Sequence, residues 1–197
     1  MYFLMQGSPF IYQGQEIGMT NTVFTGPDDF QDVFAKNHFA IRRSEGLTDA
    51  QITKEIAHTS RDNARTPMQW NAEKNAGFST GTPWLKVNPN YQQINVEAES
   101  KDPESILNFY KKLIRLRREH KVFIYGTFEL ILQDHPDVFA YTRTLNNQEA
   151  IVVCNLRGKN TKVDLKSDMK LVLANYQGVR ADLMDLKPFE CRVYLKI

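Results

Sequence analysis

The hydrophobic period of the chain changes at Tyr125-Gly126, from a helical period before this point to alternation after it. Short alternating runs separated by polar turns are typical of β-strands that bury one face. Six such runs follow, at residues 128–133, 138–144, 150–155, 161–165, 170–174 and 191–196. Their number and spacing predict a separate antiparallel β-sandwich, with its boundary near residues 121–126.

The part before this boundary carries helix signals. Asp102-Pro103 begins the clearest helical pattern, because Asp suits a helix cap and Pro suits the first helical position. Apolar residues at helical spacing predict an amphipathic helix within 28–43. Thr48 followed by Gln51 has the form of a capping box, which predicts a second, short helix.

The N-terminal segment has the pattern of one step of an α/β barrel. Met1 to Gly7 indicates the end of a helix, since glycine is favoured just past a helix C-terminus. The apolar run Ser8 to Tyr12 predicts a buried strand that leads into a loop. Helix, tight turn, strand and functional loop follow one another in this way in α/β barrels.

Residues 60–99 show no periodicity, although they are rich in Gly, Pro, Asn and aromatic residues. A stretch of this length without secondary structure is a functional loop or a linker when it occurs in a compact domain. Its aromatic content argues against a linker. We interpret it as a packed loop that shapes a site, with a merely structural connection as the alternative.

Composition excludes several classes of partner. The 197-residue chain is 42% hydrophobic and carries a net charge of +2, with basic and acidic residues interspersed. This charge pattern predicts no nucleic-acid partner. No apolar run approaches the ~20 residues that a membrane helix requires, and the first residues lack the features of a signal peptide. We expect a soluble, cytoplasmic protein without a membrane partner.

Cysteine and histidine usage predicts neither a metal site nor a cofactor. Cys154 and Cys191 lie far apart in apolar, strand-like runs without CxxC spacing, so we interpret them as reduced core residues. The four histidines share no metal-ligand spacing: His38, His58, His120 and His135.

Five segments in a fixed order carry a resemblance to a known family: Gly7-Ser-Pro-Phe-Ile-Tyr-Gln-Gly-Gln-Glu-Ile-Gly-Met-Thr-Asn21, Arg61-Asp-Asn-Ala-Arg-Thr-Pro-Met-Gln-Trp70, Asn88-Pro-Asn-Tyr91, Ile94-Asn-Val96 and Leu186-Lys-Pro-Phe-Glu190. They resemble the α-amylase superfamily, and within it the oligo-1,6-glucosidase, dextran glucosidase and trehalose-6-phosphate hydrolase group. The resemblance implies an α/β plus all-β fold, the C-terminal remnant of a (β/α)8 barrel followed by an antiparallel β-sandwich. Residues 1–121 would supply the eighth strand, long loop and last helix of the barrel, and 122–197 the sandwich.

The resemblance also implies that the chain holds no catalytic residue. Retaining α-glucosidases need two carboxyl groups about 5–5.5 Å apart, and in this family these groups and a third carboxylate, in an Asn-His-Asp motif, would lie upstream of Met1. Asn37-His38 begins like that motif but continues with Phe39. Glu16 lies where such barrels gather catalytic groups, yet its family position implies a structural role.

Arg65 is the predicted substrate-binding residue. In the family, the arginine of the Ala-Arg-Thr-Pro motif reaches the pocket of the terminal glucose, and a guanidinium can hold a carboxylate and sugar oxygens together. An arginine that only pins the loop is the alternative. Arg61 and Asp62 are interpreted as a pair that braces the loop. For four further residues of the loop, packing is favoured over stacking on sugar: Gln69, Trp70, Trp84 and Tyr91.

Two hypotheses of function follow. In the first, the chain is part of a retaining α-glucosidase that cleaves α-1,6 or related glucosyl links in a small oligosaccharide. It would be inactive alone and would have the missing N-terminal portion of the barrel as a partner. In the second, the chain is a noncatalytic remnant with a sugar-binding or structural role.

Overall fold

The computed structural model describes residues 1–165, 168–180 and 185–196. The chain divides into two compact units, of which one joins Met1–Phe10 to Phe109–Ile197 and the other is Ile11–Asn108. We call the first the sheet unit and the second the loop unit. The units are defined by packing and not by order along the chain, so the domain boundary at residue 121 stays a prediction.

The sheet unit is built on antiparallel strands. Seven are present in its described residues: β1 (Thr127–Ile131), β2 (Val138–Leu145), β3 (Gln148–Asn155), β4 (Thr161–Lys162), β5 (Lys170–Ala174), β6 (Asp185–Leu186) and β7 (Cys191–Lys196). Five form one sheet in the order β1-β2-β3-β7-β5, and β4 pairs with β6. Every pairing is antiparallel, which confirms the antiparallel sheet predicted from alternation.

The predicted strands depart most from the observed ones at the β4-β6 pair. In the described residues, only Thr161–Lys162 of the predicted run 161–165 is a strand, and these two residues pair with Leu186 and Asp185 of β6. The sequence did not predict β6, whose two described residues are too few to display an alternating pattern. The predicted sandwich also spans positions 166–167, 181–184 and 197, which lie outside the described residues.

Strand β3 is buried on both of its faces. Ala150, Val152 and Cys154 belong to one apolar cluster, which also contains Leu113, Leu116, Val122 and Phe123 of the helices α4 (Ile106–Glu119) and α5 (Val122–Tyr125). Ile151 and Val153 face a second cluster, to which Val163 and Leu186 contribute. Because side chains alternate along a strand, covering both faces produces a continuous apolar run.

Residues 3–7 are tied to the sheet unit by a buried arginine. The guanidinium of Arg117 donates hydrogen bonds to the carbonyl oxygens of Phe3, Met5 and Gly7. The predicted helix end is present as the 3-10 helix Tyr2–Leu4, and Gly7 has the left-handed φ of 103° that favours glycine.

The loop unit combines short helices with 3-10 turns. Its α-helices are α1 (Val33–Ser44), α2 (Asp49–Ile56) and α3 (Val96–Lys101), and its 3-10 helices are Gln15–Ile17, Pro27–Asp29, Arg61–Arg65, Lys74–Gly77 and Pro89–Gln92. A small apolar core packs α1 against α2: Phe24, Phe30, Ala35, Phe39, Ile52 and Ile56. The capping box at Thr48 and Gln51 is confirmed, with both reciprocal hydrogen bonds formed.

Two local predictions are wrong. Ser8 to Tyr12 is not a strand, and Phe10 is 85% exposed, because no other strand in the described part of the chain pairs with this segment. Helix α4 begins at Ile106 and not at Pro103. Asp102 accepts the N–H of Glu104 within a preceding turn, whereas the hydroxyl of Ser105 accepts the N–H of Asn108 in the first turn of α4.

A carboxylate between α1 and α2 makes the stability of the loop unit depend on pH. Arg42 donates to both oxygens of Glu55, at 2.8 and 3.1 Å, and this lowers the pKa of Glu55 from 4.5 to about 2. Its pKa is therefore lower in the folded than in the unfolded chain. The stabilisation is present above about pH 4.5 and is lost as the pH falls towards 2.

We expect Glu55→Gln to make the urea midpoint of the loop unit less sensitive to pH between 5 and 2.5 than that of the wild type. Tryptophan fluorescence measures this unfolding, since Trp70 and Trp84 both lie in the loop unit. The side chains are partly exposed, so the effect is small and should weaken in salt. If the urea midpoints of the wild type and of Glu55→Gln changed in parallel with pH, the pH dependence could not be assigned to Glu55.

Candidate functional site

Two buried carboxylates in the loop unit are brought together by the start of α1 and the 3-10 helix Arg61–Arg65. Asp32 directly precedes α1 and is 5% exposed, and Asp62 is fully buried. The 3-10 helix forms where the hydroxyl of Ser60 accepts the N–H of Asp62 at 3.3 Å. This cap turns the chain so that two arginines of the same helix, Arg61 and Arg65, reach the carboxylates.

Asp62 connects two distant segments of the loop unit. Its Oδ2 accepts the backbone N–H groups of Gln31 and Asp32, at 2.7 and 2.8 Å. Its Oδ1 accepts from Nη1 of Arg65 at 3.0 Å. A buried carboxylate is tolerated only when it is paired and hydrogen-bonded in this manner. Asp62 therefore braces the loop, as the sequence predicted.

Asp32 pairs with both arginines, and it shares Arg65 with Asp62. Nη2 of Arg61 lies 3.0 Å from Oδ1 of Asp32, and Nη1 of Arg65 lies 3.5 Å from the same oxygen. The predicted pair of Arg61 with Asp62 is thus wrong in its partner, because Asp62 is occupied by two backbone N–H groups and Arg65. We call these four residues the Arg65 network.

Arg65 keeps part of its guanidinium available. Both of its ion pairs use Nη1, and its side chain is 33% exposed. Its Nε and Nη2 donate to no residue in the described ranges. The arrangement therefore anchors one nitrogen and leaves a fork of donors, which is what recognition of a polar ligand by an arginine requires.

A cavity of about 450 Å³ lies within the loop unit, lined by residues between 12 and 21 and between 58 and 66. The Tyr12 hydroxyl donates to the carbonyl of Ala64 at 2.7 Å, and the Asn21 amide donates to the carbonyl of His58 at 3.0 Å. Arg61 lines this cavity and also belongs to the Arg65 network. The predicted residue Arg65 lies in the network and not in the cavity wall.

Glu16 lies next to this cavity in the 3-10 helix Gln15–Ile17. One of its oxygens, Oε2, is buried without a hydrogen-bond partner in the part of the chain that the structure describes. The preceding Gly14 has a φ of 86°, and a Cβ there would lie 2.5 Å from the sulfur of Met19. Only glycine fits this turn, so the backbone that places Glu16 is set locally.

The aromatic loop divides into packed and exposed residues. Gln69 is fully buried, and its amide donates to Asn90 Oδ1 at 3.2 Å and to the carbonyl of Ile94. Its predicted packing role is confirmed. Trp70 is 50% and Trp84 67% exposed, so packing does not account for either ring.

Neither a metal cluster nor a membrane-spanning helix is found in the residues that the structure describes. No group of three or more His, Cys, Asp or Glu side chains could hold a metal ion there. The helices in the same ranges are too short or too polar to cross a bilayer.

Residues 1–126 match the family model of the alpha-amylase catalytic domain. The chain belongs to the alpha-amylase family. Residues 138–193 match a second family model, that of the C-terminal domain of the alpha-amylase SusG. The resemblance identified from sequence motifs is thereby confirmed.

Named relatives narrow the group within the alpha-amylase family. The chain is 46% identical to the oligo-1,6-glucosidase of Halalkalibacterium halodurans, over 97% of the chain and 36% of that protein. It is 38% identical to the solved trehalose-6-phosphate hydrolase of Bacillus licheniformis, with a TM-score of 0.91 over 98% of the chain and 36% of that protein. An isomaltulose synthase of Erwinia rhapontici, solved with its natural substrate sucrose, is 38% identical with a TM-score of 0.88, over 98% of the chain and 36% of the synthase. The chain thus spans about 36% of the length of each.

Sequence reasoning about this alpha-amylase family member missed Asp32. Its position just before an apolar helical pattern indicates a helix cap, but its side chain makes no cap hydrogen bond and pairs with arginines instead. The partners lie 29 and 33 positions further along the chain, a separation that local patterns do not report.

Proposed function

We propose that the chain is the C-terminal part of a retaining α-glucosidase acting on α-1,6-linked or related glucosyl oligosaccharides. The observation that carries this proposal is the 46% identity to an oligo-1,6-glucosidase over 97% of the chain. In this proposal residues 1–121 are the end of a (β/α)8 barrel and 122–197 a β-sandwich. The second apolar cluster, shared by the five-stranded sheet and the β4-β6 pair, supports the sandwich. A cytoplasmic location belongs to the same proposal.

Arg65 is the residue we propose to contact the substrate. Asp62 and Asp32 hold its Nη1, and the remaining donors of the exposed third of the side chain suit sugar hydroxyls. The partner carboxylates are thereby used for orientation. Asp62 accepts three hydrogen bonds, and Asp32 faces two guanidinium groups, so neither is placed to protonate a leaving oxygen or to attack an anomeric carbon.

The proposal predicts that the purified 197-residue chain hydrolyses no α-glucoside at a measurable rate. Co-expression with the complementary N-terminal portion of the Halalkalibacterium halodurans enzyme is expected to restore glucose release from isomaltose. The assay measures glucose from isomaltose and trehalose 6-phosphate, with and without the complementing portion. Turnover by the chain alone would contradict its proposed dependence on a partner.

Two variants separate the role of Arg65 from general damage to the complemented enzyme. Arg65→Ala is expected to lower kcat/KM by at least about tenfold, the effect of losing a charged hydrogen bond to substrate. Arg118→Ala changes an exposed arginine of α4 and should leave kcat/KM unchanged. Equal activity of the two variants would refute the proposed contact, provided that the tryptophan fluorescence of the Arg65 variant stays native.

A noncatalytic sugar-binding role is the second candidate, and the exposure of Trp84 favours it. Aromatic rings that project into solvent offer apolar faces to which a ligand can bind. Quenching of tryptophan fluorescence by isomaltose, in a chain that no complementing portion activates, would support this candidate over the glucosidase.

A further inference from the structure

The two cysteines of the chain are direct neighbours across strands β3 and β7. Cys154 and Cys191 are register partners, and the sulfur atoms of these two free thiols are in direct contact. At the adjacent register position, Asn155 donates its N–H to the carbonyl of Glu190 at 2.8 Å. Hydrogen-bonded and non-hydrogen-bonded pairs alternate in an antiparallel ladder, so the cysteines occupy a non-hydrogen-bonded pair.

This kind of pair brings side chains closest together. Its Cα atoms lie about 4.5 Å apart, which falls within the range that a disulfide spans. The backbone hydrogen bonds support the assignment of a non-hydrogen-bonded pair, because the N–H of Cys191 is donated to Oδ1 of Asn175 at 2.7 Å and not to β3. The strands therefore need no large rearrangement for a bond between the two sulfur atoms.

The two cysteines differ in the exposure of the whole residue and in the acidity of the thiol. Cys154 is buried, and Cys191 is partly exposed. The hydrogen bond with Cys154 lowers the pKa of the Cys191 thiol, while it raises the pKa of Cys154. Since the thiolate is the reactive form, the lowered pKa favours Cys191 as the first sulfur to react and Cys154 as the second.

We propose that Cys154 and Cys191 are a redox-active dithiol, which small disulfides such as glutathione disulfide convert into an internal cross-strand disulfide. The Cys191 thiolate attacks one sulfur of glutathione disulfide and expels a glutathione thiolate. Cys154 loses its proton and attacks Sγ of Cys191, which expels the second glutathione. Two protein thiols are oxidised, one small disulfide is reduced, and the two protons end on the two glutathione molecules.

The new bond would close a loop between residues separated by 37 positions, which includes β4, β5 and β6. A closed loop has fewer conformations in the unfolded chain, and both ends lie in strands of one sheet. We expect oxidation to raise the melting temperature of the sheet unit by about 10 °C, reversibly with dithiothreitol.

Incubation of the whole chain with glutathione disulfide, followed by intact mass and peptide mapping, tests the proposal. The expected product is monomeric, lacks two hydrogen atoms, carries no glutathione and contains the linked Cys154 and Cys191 peptides. A stable glutathione adduct, a disulfide-linked dimer or unchanged thiols in the wild type would each overturn the proposal.

Single variants assign the order of attack. Cys154→Ser should stop at a glutathione adduct on Cys191, because the second thiol is missing. Cys191→Ser should react more slowly than Cys154→Ser, because only the buried thiol is left. Equal rates for the two variants would overturn the assigned order, and the wild-type product decides the disulfide itself if either variant fails to fold.

Discussion

Replacing Arg143 by methionine is expected to lower the free energy of unfolding of the sheet unit by about 4 kcal/mol, a large part of the stability of a typical domain. Arg143 lies in β2 and is fully buried. Its guanidinium donates to the carbonyls of Leu4, Phe123, Gly126 and Thr127, at 2.6, 3.0, 2.7 and 2.9 Å. Methionine would fill the space but leave these buried acceptors without a donor.

The charge of Arg143 helps to make this buried site specific for an arginine side chain. Burial lowers the pKa of Arg143 through desolvation, yet a guanidinium stays charged at neutral pH. Backbone carbonyls take the place that a carboxylate has in most buried ion pairs. A lysine at this position would keep the charge but lose the planar fork, so Arg143→Lys should fall between the wild type and Arg143→Met.

Urea unfolding followed by far-ultraviolet circular dichroism measures this prediction, because both tryptophans lie in the loop unit and do not report on the sheet. Arg118→Met is the matched control, since Arg118 is exposed on α4 and its loss should change stability by no more than about 0.5 kcal/mol. Similar midpoints for Arg143→Met and Arg118→Met would mean that the four hydrogen bonds contribute little.

Arg143 also illustrates how much of the fold the sequence could predict. Alternation between residues 138 and 144 predicts a strand, and β2 is there, because side-chain direction depends only on position along the strand. The pattern places Arg143 on the same face as Phe139 and Tyr141, which belong to the apolar cluster or pack against it. Which carbonyls it would satisfy depends on segments up to 139 positions away.

The same limit applies to the cysteines and to the candidate site. Apolar runs predict that Cys154 and Cys191 lie in strands, but only the pairing of β3 with β7 reveals that they are neighbours. The Ala-Arg-Thr-Pro motif selects Arg65, whereas its partner Asp32 comes from a segment 33 positions earlier. A local signal can also mislead when one residue type suits two structures. Asp102 has the residue type of a helix cap, but its side chain accepts a hydrogen bond within the turn that precedes α4.

Asp62→Ala is expected to destabilise the loop unit by about 3 kcal/mol, the second large effect that the structure supports. The substitution would leave the backbone N–H groups of Gln31 and Asp32 and the nearer contact of Arg65 without an acceptor. Arg65→Met should cost less, about 1 kcal/mol, because its side chain is 33% exposed and its removal leaves Asp62 with two backbone donors.

A double-mutant cycle between Asp62→Ala and Arg65→Met separates the ion pair from the backbone contacts. Urea unfolding is followed by the fluorescence of the tryptophans of the loop unit, with Asp28→Ala as an exposed aspartate control that should change stability by no more than about 0.5 kcal/mol. If Asp62→Ala costs no more than Asp28→Ala, the carboxylate does not brace the loop. If the coupling accounts for the whole effect, the two backbone bonds add nothing. We expect a coupling smaller than the total, because Asp62 orients Arg65 and joins the start of α1 to the loop at the same time.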